Sequence, residues 1–194
     1  MGGIDIFLNY FSRSSFITIF VLSWLSVYFL VSFTILFSRM TELSVWQKKE
    51  QNALESLLMG AKGIGAESVL KRCASGKISK EKLSICVSIA EKNATGGITW
   101  LSIVASTSPF IGLFGTVVSI LETFSQLGTG GSNASLGVIA PAISEALVAT
   151  GTGIFVAIPA YTFSLLIKRK AYELMSVIRR EVDILVATKE AIDD

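Results

Sequence analysis

A long stretch without basic residues constrains what this chain can fold into. From Asn93 to Ile167 the sequence contains no Lys, Arg or Asp, and its only acids are Glu122 and Glu145. Soluble domains carry about 25% charged residues, whereas this chain has 16% charged and 51% hydrophobic residues. One helical crossing of a bilayer needs about 20 apolar residues, so the stretch is long enough for two crossings. The pattern therefore predicts an all-α membrane protein.

Three segments are predicted to be transmembrane helices, at 16–38, 98–121 and 136–167. The first holds an uncharged run that reaches about 33 Å at about 1.5 Å per residue, enough for a hydrocarbon core of about 30 Å. A cleaved signal peptide would have an apolar run of only about 7–15 residues and a small-residue cleavage site, so this segment is interpreted as an anchor. The third segment exceeds one crossing and is expected to tilt or to project into water.

The distribution of basic residues predicts the orientation. Segment 39–99 holds ten Lys and Arg residues and the tail from 168 holds six, whereas the N-terminal segment holds only Arg13 and the 122–135 loop holds none. Because basic loops stay in the cytoplasm, segments 39–97 and 168–194 are predicted to be cytoplasmic. The N-terminal segment, 1–15, and the short 122–135 loop are then predicted to be periplasmic.

The predicted cytoplasmic parts have helical patterns. Stretches 41–58 and 79–95 are rich in Glu, Lys, Leu and Ala, and apolar residues keep a helical spacing in the tail. We therefore expect cytoplasmic helices that extend the second and third spans, rather than a separate catalytic domain. The stretch Gly60-Ala61-Lys62-Gly63 lacks the Gly-Lys-Ser/Thr ending of a phosphate-binding loop, so nucleotide binding is not indicated.

Small residues recur at four-residue spacing in the second and third spans. Such stripes let helices approach closely where lipid provides no hydrophobic force between them. The predicted packing residues are Ser108, Gly112, Ala149, Gly153 and Ala157, with a further row of Ala142, Ala146 and Thr150. Two rows on one helix indicate two neighbours and hence an oligomer, although packing within one chain explains them equally well. Kinks are predicted at Pro109, Pro141 and Pro159.

Glu145 is the central candidate site residue. A charged carboxylate in a membrane helix is unfavourable by about 2.5–3.5 kcal/mol on insertion scales, and such residues usually face a bundle interior or an aqueous path. Thr152 shares its helical face, Thr150 is offset by about 140°, and Thr116 offers a hydroxyl on the second span. The alternative is that Glu145 lies near the headgroups and hydrogen-bonds between helices. Glu122 adjoins the polar loop and is interpreted as an interfacial acid.

Several function classes are excluded or disfavoured. The chain contains no His, and its two cysteines, Cys73 and Cys86, form no Cys-x-x-Cys pair, so no metal, cofactor or redox centre is predicted. They are interpreted as reduced thiols. An enzyme is not expected, since no catalytic set is present. A net charge of +2 does not indicate nucleic-acid binding. An autonomous solute transporter usually shows internal repeats, which this sequence lacks.

Two long motifs lie in the second and third predicted spans. The second-span motif is Ser108-Pro109-Phe110-Ile111-Gly112-Leu113-Phe114-Gly115-Thr116-Val117-Val118. The third-span motif is Ala140-Pro141-Ala142-Ile143-Ser144-Glu145-Ala146-Leu147-Val148-Ala149-Thr150, followed by Val156-Ala157-Ile158-Pro159-Ala160. Both resemble motifs of the TolQ/ExbB branch of the MotA/TolQ/ExbB proton-channel family. Departures from the family pattern are Ser119, Ala142, Thr152 and Glu122. None of these departures removes a residue of the predicted pathway, and they bear on how closely the helices pack.

The resemblance implies an inner-membrane homopentameric shell around the transmembrane helices of a TolR- or ExbD-like dimer, whose helices carry a proton-binding Asp. It implies that Thr116 and Thr150 face the pore, and that these threonines and Glu145 line the proton route and couple protonation to movement of the dimer. Thr152 is a further candidate from its spacing to Glu145 alone. A TolA- or TonB-like protein would carry the work to the outer membrane. The short segment before the first span favours a TolQ-type subunit over an ExbB-type one.

Overall fold

The computed structural model describes residues 16–60, 63, 65, 68–73, 79–129 and 136–193. Within these residues the side chains of 72–73, 126–129, 136–138 and 189–193 are not described. The described part is helical, with turns between helices, which confirms the predicted all-α class. The helices are α1 (Phe16–Leu58), α2 (Val69–Cys73), α3 (Lys80–Ala94), α4 (Ile98–Thr129) and α5 (Leu136–Asp193). The predicted periplasmic segment 1–15 lies outside the described residues.

Three of these helices are long and apolar enough to cross a membrane. They are α1, α4 and α5, with 43, 32 and 58 residues. At about 1.5 Å per residue α5 is roughly 87 Å long, almost three times the thickness of a hydrocarbon core. The expectation that the third span runs beyond one crossing is therefore consistent with this helix.

The extensions of the spans differ in part from the prediction. Extensions of the second and third spans were expected, and the third apolar helix does continue without a break. The first apolar helix also continues, whereas α3 precedes α4 across a short turn. Helix α1 runs through Arg39 to Leu58 because no Gly or Pro occurs between Phe16 and Met59. Helix α3, in contrast, ends at Ala94 and is separated from α4 by a turn.

The turn between α3 and α4 depends on two glycines. Gly96 donates its backbone N–H to the carbonyl of Asn93 at 3.3 Å, and Ile98 donates to Thr95 at 3.3 Å. Gly97 has a φ of +82°, which L side chains rarely adopt. An added Cβ at Gly97 would also lie 3.2 Å from Cγ2 of Ile35. The glycine pair therefore ends one helix and starts the next.

Helix α4 extends further than the predicted span. It continues past Leu121 to Thr129, so residues 122–129 of the predicted loop are helical, and 130–135 lie outside the described residues. No Gly or Pro occurs between Val117 and Leu127 to end the helix earlier. Pro109, Pro141 and Pro159 all lie inside helices. Whether they kink these helices stays a prediction.

The chain forms two compact units. Unit 1 contains residues up to Thr34 together with Trp100–Phe163. Its core cluster joins all three apolar helices through Val21, Leu25, Val104, Val156 and Ala160. Rings extend this packing between α1 and α5, since the Phe29 and Phe155 centroids lie 5.9 Å apart and those of Phe33 and Phe163 lie 4.9 Å apart.

Unit 2 contains Ile35–Thr99 and Ser164–Asp194. Its buried apolar residues include Leu43, Leu57, Leu70, Leu83, Cys86, Leu174 and Ile178. Polar contacts at its surface join the helices. Lys170 donates from Nζ to Oε1 of Gln47 at 3.2 Å, and Arg179 pairs with Glu91 at 3.5 Å. The side chain of Cys73 is outside the described part.

Replacing Gly97 with Ala tests the turn between α3 and α4. A non-glycine residue at positive φ is unfavourable by about 1–2 kcal/mol, and the added methyl would press against Ile35. We expect Gly97→Ala to lower the free energy of unfolding by about that amount, measured by denaturation in detergent. Gly63→Ala is the matched control, because a Cβ there has no atom within 4 Å. An equal effect at both positions would contradict the assignment.

Candidate functional site

The backbones of α4 and α5 touch at two glycines in unit 1. A Cβ added at Gly153 would lie 2.5 Å from the carbonyl oxygen of Ser108, and one added at Gly112 would lie 2.7 Å from the carbonyl oxygen of Ala149. Both distances are shorter than real Cβ contacts, so only glycine fits at these positions. The structure thus brings together four of the five predicted packing residues. The fifth, Ala157, is buried on α5.

Helix α1 joins this contact through Val21. A Cβ added at Gly115 would lie 3.2 Å from Cβ of Ala149 and 3.2 Å from Cγ1 of Val21. The predicted second row is placed beside this contact, since Ala146 is 1% exposed and Ala142 is half-buried. One face of α5 therefore packs on the other helices of the same chain.

Thr116 and Thr150 meet across the α4–α5 interface. Their hydroxyl oxygens are in direct hydrogen-bonding contact. The Thr116 hydroxyl is also 3.0 Å from the carbonyl oxygen of Ala146, and the Thr150 hydroxyl is 3.3 Å from that of Gly112. The close approach at Gly112 and Gly153 allows this contact, because it brings short side chains on the two helices within reach of each other.

The threonine pair has fewer protons to donate than it has acceptors. Each hydroxyl donates one hydrogen and accepts others, so a consistent arrangement has Thr116 donating to Ala146 while Thr150 donates to Thr116. The alternative has Thr150 donating to Gly112. The pair can thus switch between hydrogen-bond patterns without moving the helices, which is the property required of a group that passes a proton along or orients water.

The other predicted pathway residues have different surroundings. Thr152 donates its hydroxyl to the carbonyl of Val148 within α5 at 2.8 Å and remains partly exposed. Glu145 is half-buried and directly precedes Ala146, whose carbonyl accepts from Thr116. The structure therefore brings Thr116 and Thr150 together, and it does not place Thr152 in that pair.

Acidic side chains are the only Asp, Glu, Lys or Arg side chains in the described part of unit 1. Across 16–34, 100–129 and 136–163 they are Glu122 and Glu145. Hydroxyl groups relay protons but do not hold an extra one near neutral pH. A proton that crosses this unit would need a carboxylate of the chain or one brought by a partner.

These features define a multi-pass helical membrane protein with a hydroxyl-bearing, close-packed helix pair and an acid, Glu145, in one of the candidate spans. Residues 48–180 match the MotA/TolQ/ExbB proton channel family, and the chain belongs to this family. The predicted resemblance is thereby confirmed, and so is its branch, since relatives named TolQ and ExbB both match. The family is one of inner-membrane proton channels, not of conventional enzymes.

Relatives match over different lengths. The biopolymer transport protein ExbB-like 1 of Helicobacter pylori is 41% identical over 189 residues, which cover 96% of this chain and 100% of the relative. The Tol-Pal system protein TolQ of Pseudomonas aeruginosa is 44% identical over 78 residues, covering 40% of this chain and 33% of the relative. The biopolymer transport protein ExbB of Neisseria gonorrhoeae is 50% identical over 64 residues, covering 33% of this chain and 29% of the relative. The preference for TolQ over ExbB stays a prediction.

Sequence reasoning missed two buried acids in unit 2, Glu50 and Glu181. For Glu181 the spacing of apolar residues along the sequence did contain a signal of burial. Glu181 falls three residues after Ile178 and four before Leu185, so it occupies the buried stripe of α5. Burial was not predicted for Glu181 because charged residues are almost never fully buried unless they are paired.

Replacing glycine with alanine at position 153, and at position 151 as a control, tests the close contact between α4 and α5. We expect Gly153→Ala to lower the stability of unit 1 by about 1–3 kcal/mol, because overpacking forces the backbones of α4 and α5 apart. Gly151→Ala is the control, since a Cβ there has no atom within 4 Å and alanine favours helix. Thermal unfolding of both variants in detergent measures the difference. Equal stability of the two variants would contradict the close contact.

Proposed function

We propose that this chain is the shell subunit of a proton-driven motor in a bacterial inner membrane. It acts with a TolR- or ExbD-like single-span partner and energises a TolA- or TonB-like protein that works on the outer membrane. The contact between the Thr116 and Thr150 hydroxyls carries the proposal. Such a pair stabilises the helix contact, and its hydroxyls can also donate and accept the hydrogen bonds that a proton route needs.

The proton route needs a titrating group beside the hydroxyls. In the proposal, an acid on the partner's helix takes up and releases the proton, while Thr116 and Thr150 orient the water or hydroxyl chain that reaches it. Glu145, with Thr152 on the same face, couples the protonation of that acid to movement of the partner. A charged acid is unfavourable in lipid, so the few acids that occur in membrane helices usually have a functional role.

Apolar surfaces that one chain leaves exposed are compatible with the proposed oligomer. Large apolar side chains remain exposed on α4 and α5, including Phe110, Leu113, Phe114, Phe155 and Ile158. In a membrane such side chains face lipid or neighbouring copies. We propose a homopentamer that encloses the partner dimer, with three spans near 16–38, 98–121 and 136–167. The N-terminus is periplasmic and the C-terminus cytoplasmic in this arrangement, as the distribution of Lys and Arg favours.

The two branches of the family give two candidate roles. One is a TolQ-type role, with TolR and TolA as partners. An ExbB-type role, with ExbD and TonB, is favoured by the Helicobacter relative, because the match spans that whole protein and its name contains ExbB. That relative has about the same length as this chain, so a short N-terminal segment does not separate the roles. Complementation of strains lacking either subunit distinguishes them.

Replacing Thr150 with Val tests the proton route. Valine keeps the shape and removes the hydroxyl, so we expect energisation to be abolished while unfolding free energy falls by only about 1 kcal/mol. Thr150→Ser should retain function. Thr162→Val is the control, because that hydroxyl bonds only to Ile158 within α5 in the described contacts. Proton-dependent energisation in cells is the measurement, and full activity of Thr150→Val would remove the hydroxyl from the mechanism.

Replacing Glu145 with Ala tests the coupling role separately. We expect the complex with the partner to assemble and energisation to be lost, because the carboxylate that responds to protonation is gone. Native mass spectrometry of the complex extracted in mild detergent gives the assembly, and the same experiment on the unaltered protein should give five copies of this chain. Solute flux by the chain reconstituted alone would instead support an autonomous transporter.

A further inference from the structure

Two carboxyl groups are buried in unit 2, away from the threonine pair of unit 1. Glu50 lies on α1 and Glu181 lies on α5, and each is 0% exposed. Ionised carboxylates are rarely buried without a cation or a metal, since removing the charge from water is strongly unfavourable. Among the described residues there is no cluster of three or more side chains able to hold a metal. Their burial therefore needs another explanation.

One oxygen of each carboxyl group has defined partners. Oε1 of Glu50 accepts from the indole nitrogen of Trp46 at 2.8 Å and from the backbone N–H of Val69 at 2.9 Å. Oε2 of Glu181 accepts from the hydroxyl of Ser68 at 3.0 Å. The two acids thus hold neighbouring residues of the same connecting segment.

The second oxygen of each carboxyl group is buried without a hydrogen-bond partner. These atoms are Oε2 of Glu50 and Oε1 of Glu181. The two side chains lie close enough to hydrogen-bond once one of them carries a proton. Two ionised carboxylates in contact repel each other, whereas one proton between them supplies the missing donor. A single proton shared by the two carboxyl groups supplies a donor that neither group has when both are ionised.

Charged groups on the surrounding helices do not replace that proton. Apart from this pair, every described charged side chain within 48–55, 68–71, 80–92 and 179–183 is exposed. On α3, Glu91 pairs with Arg179 at the surface, and on α5 the half-buried Lys170 contacts Gln47 and Glu173. Lys49 on α1 and Lys71 on α2 are exposed as well.

We infer that Glu50 and Glu181 form a proton-binding site that holds one proton between them and thereby fastens the segment at Ser68–Val69 to α1 and α5. The site belongs to unit 2, and the inference does not depend on the proposed motor function. In a motor of the proposed kind it gives the extramembrane part of the subunit its own response to pH, distinct from the transmembrane route.

The protonation equilibrium of Glu181 agrees with this site. Burial, followed by the negative charge of Glu50, raises the pKa of Glu181 from 4.5 to about 8, and the Ser68 hydroxyl opposes the rise. A raised pKa means that the folded form binds the proton more tightly than an opened form does. The stability is fully present below about pH 4.5, is lost progressively as pH rises, and is gone above about pH 8.

Hydrogen exchange on the full-length protein in detergent tests the site. We expect the protection factors of the Val69 and Leu70 amides to fall as pH rises from 5 to 8, by up to about tenfold per pH unit for one linked proton, and to level off above 8. Glu181→Gln should remove this pH dependence, because its amide offers Glu50 a permanent donor. Glu55→Gln, at an exposed position on α1, is the control and should keep it.

A second measurement keeps the test decisive if a variant does not fold. Infrared difference spectra of the unaltered protein should show a protonated carboxylic acid that loses its proton with a midpoint near pH 8. Glu181→Gln should lack that signal, whereas Glu145→Gln should keep it. Absence of the acid signal, or the same pH dependence of protection in Glu181→Gln, would overturn the site. Stabilisation by added Ca²⁺ or Na⁺ without an acid signal would also overturn it, because the pair would then bind a metal ion.

Discussion

The contact between α4 and α5 at Gly112 and Gly153 is the constraint on which unit 1 depends. Lipid supplies no hydrophobic force between helices, so their association relies on close packing and on hydrogen bonds across the interface. At these glycines the backbones touch, and no side chain would fit between them. The same closeness lets Thr116 and Thr150 reach each other. Packing and candidate chemistry therefore have one geometric origin.

The two units handle buried polar groups in different ways. In unit 1 the Thr116 and Thr150 hydroxyls hydrogen-bond to each other and to backbone carbonyls across the α4–α5 interface. Unit 2 buries two carboxyl groups, Glu50 and Glu181, and each also binds a residue at the start of α2, Val69 and Ser68 respectively. In unit 1 the hydrogen-bond pattern can rearrange, whereas in unit 2 the number of bound protons decides whether the contact is stable.

Much of the fold was predictable because the bilayer leaves few alternatives. The three apolar helices and the small-residue stripes follow from hydropathy and spacing, since only helices and closed barrels satisfy the backbone in lipid. The extensions were predicted less well. Helix α1 continues to Leu58 and α4 to Thr129 because nothing in the sequence stops them, and a change of polarity alone does not end a helix. Between α3 and α4 the sequence does contain residues that interrupt a helix, Gly96 and Gly97, and the turn there separates the two helices.

The sequence by itself determined the class of the protein, the number of apolar helices and the candidate threonines, because these depend on residue type and periodicity. Only the tertiary structure decided which side chains meet. Spacing along α5 placed Thr152 on the face of Glu145, yet Thr150 is the residue that contacts Thr116 across the interface. The burial of Glu50 with Glu181 likewise brings together residues far apart in the chain. Such contacts depend on how the helices are rotated against one another, which no local pattern specifies.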